Sequence, residues 1–111
     1  MKIKLELSTD TLIACNQLLQ EIYNESNPNT EAGKLVKSIA LEVADKLDSK
    51  CKTLIKKATI FDQGKKHQLS LKYHEAWGFY RALCNLIDYV NNDYKQTLIQ
   101  KTINTLNQKL T

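Results

Sequence analysis

Hydrophobic and polar residues alternate one by one at the start of the chain, then change to a helical spacing that continues to the end. Ile3, Leu5 and Leu7 fall on one side of residues 2–7, with Lys2, Lys4 and Glu6 on the other. This period of two marks a half-buried β-strand. A lone strand leaves its backbone N–H and C=O groups without partners. It is therefore expected to pair with a second copy of the chain or with another protein's edge, or to stay an extended arm.

Helical spacing follows in four segments. Ser8, Thr9 or Asp10 offers a capping oxygen, and Leu12, Cys15, Leu18, Leu19, Ile22 and Tyr23 share one face, which predicts a helix over about 10–24. The polar run 24–30 holds the only proline, Pro28, and reads as a loop. Val36, Ile39, Ala40, Val43, Ala44, Leu47, Cys51, Leu54, Ile55 and Ala58 form an unbroken stripe, so a second helix is expected over about 31–58. The pairs Glu42–Lys46 and Asp48–Lys52 support it from the exposed side. Residues 62–66, with Gly64, supply a breaker.

The third segment, about 68–91, is the most apolar. Leu69, Tyr73, Ala76, Trp77, Tyr80, Leu83, Cys84, Leu86, Ile87 and Val90 cover about half of a helical wheel. Ile99, Ile103, Leu106 and Leu110 lie well around from that stripe, and Asp93 with Gln96 has the spacing of a capping box. A break and a fourth helix over about 94–109 are expected. No internal repeat is evident. The expected fold class is all-α in the main: a single domain over 1–111, a four-helix bundle-like arrangement preceded by one short strand or arm.

Composition sharpens this picture. Three glycines and one proline in 111 residues are too few for the tight turns of an all-β sandwich or barrel. No stretch approaches the roughly 18–20 apolar residues of a membrane span, and the N-terminal alternation lacks the apolar core of a secretory signal. A cytoplasmic location is expected, in the producing cell or in a viral host. The net charge of +4 comes from fifteen lysines and Arg81 against twelve acids. An abundance of Lys, Asn and Ile fits AT-rich codons, hence a low-GC bacterial or viral origin. The charge is uneven: residues 46–72 hold eight lysines and two acids.

Candidate chemistry is sparse. Cys15, Cys51 and Cys84 are an odd, widely spaced set, matching neither a disulfide framework nor a CxxC metal motif, and are expected to be buried thiols. His67 and His74 stand seven apart without a ligand at i±3 or i±4 of His74, so no metal or other cofactor is expected. Nucleophile-elbow, Walker and dinucleotide motifs are missing, and no small-molecule substrate or enzymatic activity is expected. Lys46, Lys50 and Lys57 border the second stripe, and Lys65 and Lys66 extend it; with Lys2 and Lys4 they are candidate phosphate contacts. Leu71, Gly78, Ala82, Asn85 and Tyr89 form a second, narrower face on the third helix. Its small residues would let another backbone approach.

These observations favour a small non-enzymatic protein acting through protein contacts. Self-association through Ile3, Leu5 and Leu7 or through Leu71, Gly78, Ala82 and Tyr89 is the expected mode. The alternative is a DNA-binding regulator. Residues 1–48, with an alternating strand, Ser8-Thr9-Asp10, a short helix, a loop and a longer helix, resemble in layout the ribbon-helix-helix repressors. That resemblance implies strands paired into a ribbon whose polar side enters the DNA major groove, with Lys2, Lys4 and Glu6 at the reading positions.

Overall fold

The N-terminal alternation forms a strand, β1 (Lys2–Ser8), and its partner lies within the same chain: β2 (Lys66–Lys72) pairs with it antiparallel. The computed structural model describes residues 2–24, 29–57 and 65–111; the side chains of 24 and 54–57 fall outside the description. The expected turn and breaker residues Pro28 and Gly64 and the stripe residue Ala58 lie outside the described residues, as do the side chains of Leu54 and Ile55. Four helices complete the described fold: α1 (Thr9–Leu19), α2 (Glu31–Lys57), α3 (Tyr73–Leu86) and α4 (Asp93–Leu110). A 3-10 turn follows α1 at Gln20–Asn24 and another follows α3 at Ile87–Tyr89. The fold is mainly helical with a short two-stranded sheet.

The segment expected to open the third helix is strand instead. Leu69 and Leu71 turn inward while Lys66, Gln68, Ser70 and Lys72 stay exposed, and the helix starts only at Tyr73. Glu75 accounts for that start, because its carboxylate accepts the Lys72 backbone N–H at 2.8 Å, satisfying a donor at the helix entrance. At the entrance of α1 the corresponding role falls to Ser8, whose hydroxyl accepts from the Thr11 N–H at 3.2 Å. The expected break before the fourth helix is present, and the cap is Asn92 rather than Asp93, accepting from the Lys95 N–H at 3.0 Å. Thr30 caps α2 in the same way, accepting from the Gly33 N–H at 3.0 Å.

These matching caps belong to a larger regularity. β2 begins 64 residues after β1 (66 against 2), and α3 begins 64 after α1 (73 against 9). The ladder is centred on Leu5 opposite Leu69, two residues that the same shift relates. Leu12, Cys15, Leu18, Leu19 and Ile22 are buried, and so are their counterparts Ala76, Phe79, Ala82, Leu83 and Leu86. Ala40, Val43, Ala44 and Leu47 on α2 repeat the spacing of buried Ile99, Thr102, Ile103 and Leu106 on α4. The helices also cross over between the halves: α2 packs on α3 as well as on α1, and α4 packs on α1 as well as on α3. An approximate two-fold axis through the Leu5–Leu69 pair thus relates two strand-helix-helix halves, a structural repeat that the residues do not announce.

Crossing over also fixes the phase of α3. Held between α2 on one side and α1 and α4 on the other, it buries Gly78, Phe79 and Ala82. Tyr73 and Trp77, expected in the core, lie at the exposed rim. A Cβ on Gly78 would stand 2.5 Å from Ile39 Cγ2, so the bare backbone there is what admits α2.

Candidate nucleic-acid interface

Pairing within the chain gives the two-stranded sheet one dry face and one wet face. Ile3, Leu5, Leu7, Leu69 and Leu71 are buried against the helices. The opposite face carries Lys2, Lys4 and Glu6 from β1 and Lys66, Gln68, Ser70 and Lys72 from β2, all exposed. Four lysines against the one glutamate leave this face at +3. Exposed Lys65 adjoins it, and its carbonyl accepts the Thr9 backbone N–H at 3.1 Å, continuing the ladder onto α1. The underside is pinned at the same end by the His67 Nε2 to Thr9 Oγ1 contact of 2.7 Å. Seven ladder pairs at about 3.3 Å per residue make a ribbon roughly 20 Å long.

At the other end Glu75 ties the ribbon to α2 as well as to α3. Its carboxylate meets Lys46 Nζ at 3.2 Å. Burial pushes the Glu75 pKa up, but the Lys72 N–H and the Lys46 ammonium outweigh it and hold the carboxyl below its ordinary value. Lys46 is thereby engaged within the fold.

The expected contact residues now separate. Lys2, Lys4 and Lys66 share the ribbon face, with Lys65 beside it. Lys72, Gln68 and Ser70, not among the expected contacts, join them there. Lys50 is half-buried on α2, and the Lys57 side chain lies outside the description. Of the residues expected to meet another copy, Ile3, Leu5, Leu7, Leu71, Gly78 and Ala82 are all buried in the chain's own core. The small-residue face of α3 receives α2, with Gly78 against Ile39 and Ala82 buried one turn on. Tyr89 remains exposed, at 74%.

Chemistry elsewhere is limited among the described residues. No group of three or more His, Cys, Asp or Glu side chains is placed to hold a metal ion, and no helix is long and apolar enough to cross a membrane. His67 and His74 belong to different elements, β2 and α3. Cys15 and Cys51 are buried as expected, whereas Cys84 is only partly so. Desolvation pushes the Cys15 thiol up to about 12. Two open clefts change places under the two-fold: one of about 690 Å³ between α1 and the start of α4, and one of about 460 Å³ between α3 and the start of α2. Comparison of the chain with protein-family models, with curated proteins and with solved structures finds no match in any of the three.

Proposed function

We propose that this chain binds duplex DNA by laying the polar face of the β1–β2 ribbon into the major groove. The observation that carries the reading is the ribbon itself: an intramolecular antiparallel pair, dry on one side, with Lys2, Lys4, Lys66 and Lys72 around Glu6, Gln68 and Ser70 on the other. A major groove about 12 Å wide admits a two-stranded ribbon. Lysines at the ribbon's ends meet phosphates, while Lys4, Glu6, Gln68 and Ser70, near its middle, face base edges.

The layout resemblance to ribbon-helix-helix repressors supports the same reading. What it lacked in residues 1–48, a second strand, is provided by β2 of the same chain. A role through protein contacts has less to rest on, because the strand and small-residue face that motivated it are occupied internally.

Duplex DNA and duplex RNA of equal length, titrated into the protein at low salt with fluorescence anisotropy as the readout, test the proposal. DNA binds and RNA does so much more weakly, since the A-form major groove is too narrow and deep for side chains to read. No binding to DNA at low salt would overturn the reading, leaving the lysines as guards of two open sheet edges.

A further inference from the structure

Resting on that reading, we infer that the DNA site is non-palindromic and is read by a single copy of the chain. Two identical strands related by a two-fold axis present identical residues on either side of it, and their sites are accordingly near-palindromic. Here the axis passes through Leu5 and Leu69, and the outward residues it relates are Lys2 with Lys66, Lys4 with Gln68, Glu6 with Ser70, and Ser8 with Lys72. Three of the four pairs differ in chemistry.

The differences are directional. Lys2, Lys4 and Lys72 lie on one side of the axis, whereas Glu6 and Lys66 offset each other on the far side. The ribbon therefore carries its charge toward the Lys2–Lys72 end, with Lys65 as the extra cation at the other. The readers are unequal too. Lys4 suits guanine O6 and N7, and Glu6 accepts from cytosine N4; Gln68 is matched to adenine N6 and N7, and Ser70 is permissive. The half-site under Lys4 and Ser70 therefore differs in sequence from the one under Glu6 and Gln68. Both strands of the ribbon already belong to one chain, so one copy completes the reader.

Selection from a random duplex library, followed by measurement of the mass of the complex on the shortest enriched site, tests this. The wild type is expected to enrich a motif without dyad symmetry and to bind it one to one, and Gln68→Ala is expected to lower affinity for that motif by about tenfold. The double variant Gln68→Lys with Ser70→Glu, which equalises the central positions on the exposed face, is expected to move the motif toward dyad symmetry. An enriched palindrome for the wild type or two copies on the shortest site would each overturn the inference while leaving the ribbon reading standing, and tight binding without sequence preference would overturn it together with the base contacts assigned to the ribbon. Absence of binding by a wild type of unchanged circular dichroism would instead overturn the ribbon reading, and this inference with it.

Discussion

Gly78 of α3 sits against Ile39 of α2 so closely that a methyl group added at Gly78 would fall 2.5 Å from Ile39 Cγ2 and 3.0 Å from Ile39 Cβ. Alanine normally gains about 1 kcal/mol over glycine within a helix. At this position the overlap wins, and Gly78→Ala is expected to lower stability by about 1–3 kcal/mol in urea unfolding. Ile39→Ala should recover part of that loss when combined with it, since it removes the clashing Cγ2. Equal additive effects would mean the two helices do not meet there.

Glu75 links stability to pH. Its folded pKa lies below the ordinary value because the Lys72 N–H and Lys46 outweigh burial, so its contribution is present above the unfolded pKa and is lost as pH falls through the folded one. Glu75→Gln is expected to cost about 1–3 kcal/mol at neutral pH, in the range for hydrogen bonds to a charged group. The exposed Lys46 partner argues for the lower half of that range. The gap between the two proteins should close as unfolding is followed below about pH 4. A gap that persists in acid would contradict the assignment.

The thiols should separate by burial. Cys15, fully buried with its pKa pushed up to about 12, and Cys51, whose Sγ approaches the Leu12 carbonyl at 3.6 Å, are expected to resist an aromatic disulfide reagent in the native state. Cys84 is only half-buried and should react first. Mass mapping of the modified protein reads the order directly, and early labelling of Cys15 would contradict the core described here.

Both ribbon strands come from one chain, so the protein is expected to run as a 12.7 kDa monomer in light scattering across a hundredfold range of concentration. A dimer that persists on dilution would point back to a contact between copies.

Much of the helical part was legible, because Ala40, Val43, Ala44 and Leu47 keep a clean helical period and sit where that period puts them. β2 was not, because Leu69 joins Tyr73 and Ala76 in a helical spacing as readily as it joins Leu71 in a period of two, and Lys72 is a poor capping residue. The local alternation at 66–72 was the signal available, and the unpaired strand at 2–7 was a reason to look for it. Packing hid the repeat as well. Buried positions exchange Leu12 for Ala76, Cys15 for Phe79 and Leu18 for Ala82, so burial is conserved across the two-fold and residue identity is not. Gly78 stands at a close approach to Ile39, but nothing local in the sequence distinguishes a neighbouring helix from another molecule. The candidate interface is therefore half legible in the sequence, through Lys2, Lys4 and Glu6, because its other half, 66–72, fits a helical spacing as well.

The central claim is that the ribbon face engages DNA phosphates and bases, and the salt dependence of duplex DNA affinity tests it most directly. Lys2, Lys66 and Lys72 in contact with phosphates give a slope of log affinity against log salt of about −3. Lys2→Ala and Lys72→Ala should each reduce it by about one while Lys50→Ala, on α2, leaves it unchanged. Binding whose slope ignores Lys2 and Lys72, or falls only with Lys50→Ala, would contradict the account.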